Sequence, residues 1–277
     1  MTQPVSRIAC AAVVPMTASC LFAQPDPGHS TAAADLSLGP APVTGALVTD
    51  RPDFTESTDA VARGHIQIES GYTFTYDDAA GVVTRSHSAP ELLLRVGLFD
   101  GVELRIAWPT YTRLDTSSGD ADGLEDLNLG VKVKLVEQDG LTPHVGMIGE
   151  IAAPTGADAL TSDGVDPAVK LLWAYDLPGR VSVGGNVNVA SVSEGADRFF
   201  QPAASLALGV AATERVGVFV EYFGFYPVSD DSGAAHTLNG GVTFLVHDNL
   251  QFDARVGVGL NENADDLFTG VGFALRR

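Results

Sequence analysis

Cysteine is nearly absent from this chain: 277 residues hold only Cys10 and Cys20, both in the first twenty positions. That excludes a disulfide framework, a thiolate metal centre and a cysteine nucleophile from everything that follows. Charge is also scarce, at 18% of residues, which is low for a surface bathed in water. Basic residues are the rarer sign, 16 Lys and Arg against 35 Asp and Glu, for a net charge of −19. A basic face able to hold a phosphate backbone is therefore missing, and nucleic acid is excluded as a partner. No apolar run reaches the roughly 20 residues that a membrane-spanning helix needs. Metal-ligand spacings, phosphate-binding loops and dinucleotide fingerprints are missing too, so no cofactor and no resident metal are expected.

Hydrophobic residues, by contrast, make up 45% of the chain, enough to exclude disorder over most of its length. Thirty glycines suit a twisted sheet with tight turns. The first stretch, RIACAAVVPMTASCLFAQ (Arg7 to Gln24), places one basic residue before a short apolar run and small residues. That order predicts a signal peptide over 1–23, cleaved after Ala23. A lipoprotein site at TASC before Leu21 is the alternative, and its residues fit less well. Residues 24–63 read as a periplasmic lead-in, rich in Ala, Pro, Gly and Ser through position 48. Residues 64–277 form the folded domain.

There the hydropathy repeats with a period of two. In NLQFDARVGVGL (249–260), Leu250, Phe252, Ala254, Val256, Val258 and Leu260 alternate with Gln251, Asp253, Arg255, Gly257 and Gly259. Such a strand has one apolar and one polar face. The same pattern recurs in HIQIESGYTFTY, PELLLRVGL, VELRIAW, LNLGVKVKL, AVKLLWAYD, VSVGGNVNVA, PAASLALGVA, VGVFVEYFGFY, HTLNGGVTFLV and LFTGVGFAL. HVGMIGEIAAP is less regular, because Ile148 shares a phase with His144 and Glu150. The total is twelve strands, an even number that leaves both ends on one side.

The connections sort by length. FDG, VEQDGLT, LPGR, TER and HDN are mostly tight; the segments 109–123, 154–166, 191–199 and 227–234, which alternate with them, are longer. Short turns on one side and long loops on the other are expected of an outer-membrane barrel, and a soluble Greek-key sandwich has no reason to sort its loops this way. The charges agree. Glu69, Glu91, Arg95, Glu103, Arg105, Lys132, Lys134, Glu150, Lys170, Glu221, Asp253 and Arg255 all take the polar phase. A lysine or arginine facing lipid near the midplane costs about 2–4 kcal/mol, so their absence from the other face is informative. The reading is all-β: a transmembrane antiparallel up-and-down barrel of about 12 strands, its polar phase lining a wet lumen that holds the candidate substrate-binding residues just named. Tyr76, Trp108, Trp173, Tyr175, Tyr222 and Tyr226 are the candidate interfacial aromatics. Acids gather between strands, at Asp77-Asp78, Asp120 to Asp126, Asp158 to Asp166, Asp230-Asp231 and Asp265-Asp266. They read as solvated turns, with divalent-cation bridging at an anionic lipid surface as the alternative.

LVTDRPDFTES (Leu47 to Ser57), PELLLRVGLFDGVELRIAWP, IAAPTG, DPAVKLLWAYDLPG, EYFGFYP and DNLQFDARVGVGLNENADDLFTGVGFALR recur in order over residues 46–276. Together they resemble the outer-membrane "transporter" proteins grouped under a phenol-degradation meta-pathway name. The resemblance implies an outer-membrane channel, in a bacterium of Gram-negative type, that passes small-molecule solutes, hydrophobic or aromatic compounds among them. It also implies lipid and the barrel-assembly machinery as partners. Such barrels commonly close on an aromatic residue; this chain closes Leu275-Arg276-Arg277, and Phe273 is the nearest aromatic in phase. The charge mix of TDRPDFTES, with Asp50, Arg51, Asp53, Phe54 and Glu56, suggests a plug (47–57) that folds into the barrel mouth and gates it. Two other classes stay open: an outer-membrane lipid-modifying enzyme, with His87 beside Ser86 and Ser88 and His236 beside Thr237, and a structural barrel without transport.

Overall fold

The computed structural model describes residues 40–277 except 44, 80, 118, 196 and 229–232. The expected signal peptide, most of the lead-in and Asp230-Asp231 lie outside the described residues. Among the described residues there is no helix, and one sheet holds all fifteen strands. It closes on itself where β1 (Ile66–Ala79) pairs antiparallel with β15 (Leu267–Arg276), from Gln67 opposite Arg276 to Tyr76 opposite Leu267.

The fifteen strands make twelve staves, because three staves are each broken in two. The second is β2 (Val82–Ala89) with β3 (Leu92–Phe99), the third β4 (Val102–Trp108) with β5 (Tyr111–Thr116), and the fourth β6 (Ala121–Leu124) with β7 (Leu127–Val136). Pro90 and Pro109 stand in the first two breaks. Proline cannot donate to the ladder, so pairing stops there and resumes beyond. Above the breaks, β2, β5 and β6 continue as a small sheet attached to the outer half of β1. The expected loop 109–123 thus contains a hairpin, and Asp77-Asp78, expected between strands, lie within β1. The other staves are unbroken and pair in sequence order: β8 (His144–Ala153), β9 (Asp166–Leu177), β10 (Val181–Glu194), β11 (Asp197–Ala211), β12 (Val216–Phe225), β13 (Ala235–His247), β14 (Leu250–Gly259) and β15.

Burial is inside out. The largest side chains shielded from solvent include Arg51, Arg95, Lys132, Glu56, Glu69, Glu103 and Glu221. Aliphatic residues stand on the outer surface of every wall, with Val169, Val187, Val256 and Val271 each more than half exposed. In β14, Phe252, Val256 and Val258 face outward while Gln251 and Asp253 are buried. An apolar belt around a polar interior is stable in lipid and not in water. Ile148, out of phase in the sequence, faces inward and is fully buried. Trp108 stands 60% exposed on the belt, and Tyr222 and Tyr226 share a 3.0 Å hydrogen bond near the outer end. Both chain ends of the barrel meet at the side with the tight turns, where the N–H of Ile66 and the carbonyl of Arg277 bond at 2.8 Å. That side is the periplasmic end.

Candidate functional site

The chain enters the barrel before it builds it. Residues 47–63 precede β1, and the N–H of Leu47 is held at the periplasmic rim by the carbonyl of Asp248, 2.7 Å away. Eight polar residues between Thr49 and Thr58 are then each no more than 2% exposed. The segment turns back and leaves where the N–H of Val61 donates to Glu103 at 2.6 Å. A buried polar backbone must find partners, and here the wall's charged side chains supply them.

Asp50 sits in a socket of three bases. Lys132 approaches to 2.7 Å, Arg105 bonds the same carboxylate, and Arg95 lies 3.4 Å away. The N–H and hydroxyl of Ser57 donate to Asp50 as well, and the Asp50 N–H donates to both oxygens of Glu69 at 2.9 Å. Arg51 points the other way, to Glu91 at 2.8 Å and Asp253 at 3.6 Å. Its guanidinium lies in a slot between Gly71 and Gly272, which pair directly across β1 and β15. A methyl group at either position would occupy the same space as the guanidinium. Gly272→Ala is therefore expected to unseat Arg51 while the β1–β15 ladder still forms. The check is a rise in single-channel activity at an unchanged circular-dichroism spectrum.

Further along, Glu221 accepts from the N–H of Phe54 at 2.7 Å and from the N–H and hydroxyl of Thr55 at 2.6 Å. The Thr55 hydroxyl also lies 2.7 Å from that of Ser205. Phe54 stacks on Phe223 with centroids 4.7 Å apart and meets Phe225 edge-on at 5.4 Å. Glu56 bonds Arg105 at 2.6 Å and Lys170 at 2.7 Å, and Lys170 also holds Glu150 at 2.8 Å.

The structure brings nearly all the polar-phase charges together; strand neighbours Glu103 and Arg105 bond at 3.0 Å, but other neighbours do not pair. Glu91 serves Arg51 rather than Arg95, which is held by Glu69 at 2.9 Å and Glu103 at 2.8 Å. Asp253 turns to Arg51 as well, while Arg255 donates to the carbonyl of Pro52 at 2.8 Å and to Thr73 at 3.0 Å. Lys134 is a rim residue, bound to Asp59 and Glu137 at 2.7 Å each. Charge counting passed over the neutral partners Ser205, Asn186 and Asn239. Asn186 donates to the carbonyl of Phe54 at 3.2 Å, and Asn239 to Glu221 at 2.7 Å. Their polar phase was the only signal they carried.

Outward from Phe54 lies a small recess, set among the outer halves of β7 to β12. Ala152, Ala168, Ala190, Val192, Ala203 and Phe225 give it an apolar lining; its polar lining is Glu150, Asp166 and three side-chain amides. Phe54 packs against two of these walls, Ala203 and Phe225. Beside it runs the line of broken staves. Ser88 and Thr112 bond at 2.8 Å across it, and Thr112 donates to Glu125 at 2.6 Å. Asp126 fastens the neighbouring loop by accepting from the N–H groups of Thr155 and Gly156 at 2.9 and 2.8 Å.

Glu125, in the break between β6 and β7, is pushed up to about 7, chiefly by burial; the Thr112 bond opposes the rise, and Glu91 and Asp126 add to it. A folded-state value above the unfolded one, near 4.3, means that the fold favours the protonated form. Barrel stability should then fall as pH rises from about 4.5 to about 7 and level off above. Glu125→Gln should remove that component, as read from unfolding midpoints in detergent across this range; an unchanged slope would assign it elsewhere.

The histidines of the enzyme alternative are tied to tyrosines. His87 Nδ1 lies 2.8 Å from the Tyr72 hydroxyl, and His236 Nδ1 lies 2.6 Å from that of Tyr222. Among the described residues, no group of three or more His, Cys, Asp and Glu side chains is arranged to hold a metal ion.

Among solved structures, the barrel is similar to an outer membrane channel from Pseudomonas putida F1, with a TM-score of 0.62 and 17% identity over 79% of this chain and 98% of that one. It is also similar to the translocator domain of the autotransporter NalP from Neisseria meningitidis, with a TM-score of 0.50 and 10% identity over 77% of this chain and 88% of that one. These likenesses are of fold: a closed outer-membrane β-barrel. No curated protein matches the chain significantly. The sequence resemblance is decided by a family model that matches residues 49–276, and the chain belongs to the family described as "Putative MetA-pathway of phenol degradation".

Proposed function

We propose that this protein is an outer-membrane channel closed by its own residues 47–57, and that it passes small, largely apolar solutes, aromatic compounds included. One observation carries the reading: the lumen is filled by a separate segment held through ion pairs. A barrel that needed only a solid interior would be better served by apolar packing, because burying two charges costs several kcal/mol in desolvation for each ion. Charged surfaces have a different merit. When the segment withdraws, Asp50, Glu56 and the bases facing them can all rehydrate, so the seal is reversible.

Solute class follows from the recess beyond the segment. Its alanine walls and the Phe54, Phe223 and Phe225 rings suit a flat apolar body, and aromatic rings gain about 0.5–1.5 kcal/mol from such stacking beyond area burial. The family description, which refers to phenol, agrees in kind. Because Phe54 belongs to the segment, its withdrawal would enlarge the recess and join it to the lumen. The test is conductance of the refolded protein in planar bilayers, with and without residues 47–57. A large increase on removal supports the reading, and a barrel silent in both forms removes it. Among the described residues, no arrangement in the lumen favours a lipid-modifying enzyme.

A further inference from the structure

The two ends of the barrel are charged very differently, and neither the fold nor the seal requires it. Each of the acid runs that lies in the described residues falls at the outer end, some in loops and some at strand ends: 77–78, 120–126, 158–166 and 265–266. Among the described residues, the bases at that end are Arg85, Arg113 and Arg198. All three are engaged. Arg113 is held by Asp115 at 2.7 Å, and Arg198 bonds Ser191, Ser193 and the carbonyl of Val165. Arg85 lies over the Tyr76 ring at 5.9 Å. At the periplasmic rim, Arg63, Lys134, Arg180, Arg215, Arg276 and Arg277 face a comparable number of acids.

The recess repeats the asymmetry. Its charged lining is Glu150 and Asp166, and no base lines it. Lys170 neutralises Glu150 from below; Asp166 is held mainly by the N–H and hydroxyl of Ser193, at 2.9 and 2.7 Å, with Arg198 at 3.4 Å. At the outer end Asp77, Asp265 and Asp266 also lie close together. Asp265, exposed by surface area yet set in a crowded loop, is pushed up to about 6, by lost hydration first and then by Asp77 and Asp266.

We propose that the outer vestibule selects solutes by charge, admitting cationic and neutral ring compounds and turning away organic anions such as aromatic carboxylates. A mouth lined by one sign of charge shifts the local concentration of ions by about 10- to 1000-fold, an effect that screening weakens as salt rises. Neutral rings are untouched by the field and meet the apolar recess directly. The inference rests on the channel reading above and adds to it the charge of what enters: an anion must pass the acidic loops before reaching any base in the lumen.

The probes are benzyltrimethylammonium and benzenesulfonate, one ring each, permanently charged and unable to cross lipid unaided. Reversal potentials under bi-ionic conditions are measured for the full-length protein and for the chain lacking residues 47–57, at low and high salt. The proposal expects the cation to be preferred about tenfold or more at low salt. It also expects the preference to shrink at high salt, and in a variant carrying Asp120→Asn, Asp122→Asn, Asp158→Asn and Asp163→Asn. Equal passage of both probes overturns it, and so does a preference that the four substitutions leave unchanged. Passage of potassium and chloride but of neither probe overturns it as well, while leaving a channel. Silence of both proteins in every salt removes the channel reading itself.

Discussion

Deleting residues 47–57 should raise single-channel conductance several-fold. The expectation follows from where those residues lie. They fill the level of the lumen at which β1, β3, β4, β7, β9, β12 and β14 all point side chains inward, yet they belong to no ladder of the barrel. Their removal leaves every strand pairing intact. Some wall charges keep partners of their own: Arg95 retains Glu69 and Glu103, and Lys170 retains Glu150. Lys132 loses its 2.7 Å contact with Asp50 and keeps only longer ones, to the carbonyl of Asp59 at 3.5 Å and to Glu103 at 3.9 Å. Water and salt entering the vacated space would solvate it. Some loss of thermal stability is expected, together with an open polar path. Conductance no different from that of the full chain would mean that ions do not travel through the lumen at all.

A single substitution should approach the same result. Asp50→Asn keeps the size of the side chain and removes one of the two anions that Lys132, Arg105 and Arg95 share, leaving them Glu103. Breaking a buried ion pair from one side costs about 3–5 kcal/mol, because the remaining charge is left uncompensated. Three bases are affected here, but Glu103 stays beside all of them and the lumen can take up water once the segment loosens, so the lower end of that range applies. About 3 kcal/mol corresponds to a shift of more than a hundredfold in the docking equilibrium. The measurement is the open fraction in bilayer recordings, expected to rise from near zero to a substantial share. Glu56→Gln should act in the same direction more weakly, since Lys170 would keep Glu150.

The barrel was legible because its rule is simple. In 249–260 the aliphatic phase faces lipid and the polar phase faces the lumen, residue by residue as the alternation requires. The broken staves were not legible. Tyr111–Thr116 and Ala121–Leu124 are short, and the acidic, glycine-bearing stretch between them looks like any outer loop. The segment announced itself through the density of charge in TDRPDFTES, but its partners stayed hidden. Glu91 is near Arg95 in sequence and bonds Arg51, because a third element enters between the strands. Gly71 and Gly272 look like ordinary strand glycines, and only the guanidinium between them gives them a role. Period-two reasoning describes a wall; it does not describe what is packed against it.

The central claim, that the segment must move for the channel to conduct, has a direct test. The hydroxyls of Thr55 and Ser205 lie 2.7 Å apart, one on the segment and one on β11, and no cysteine follows Cys20. Cysteines at both positions, in a protein that also carries Asp50→Asn, should form a bridge that ties the segment to the wall. Recorded in bilayers, the oxidised protein should be closed, and the same protein should open when reductant is added. Equal conductance before and after reduction would contradict the account, because it would place the conducting path where the segment has no part.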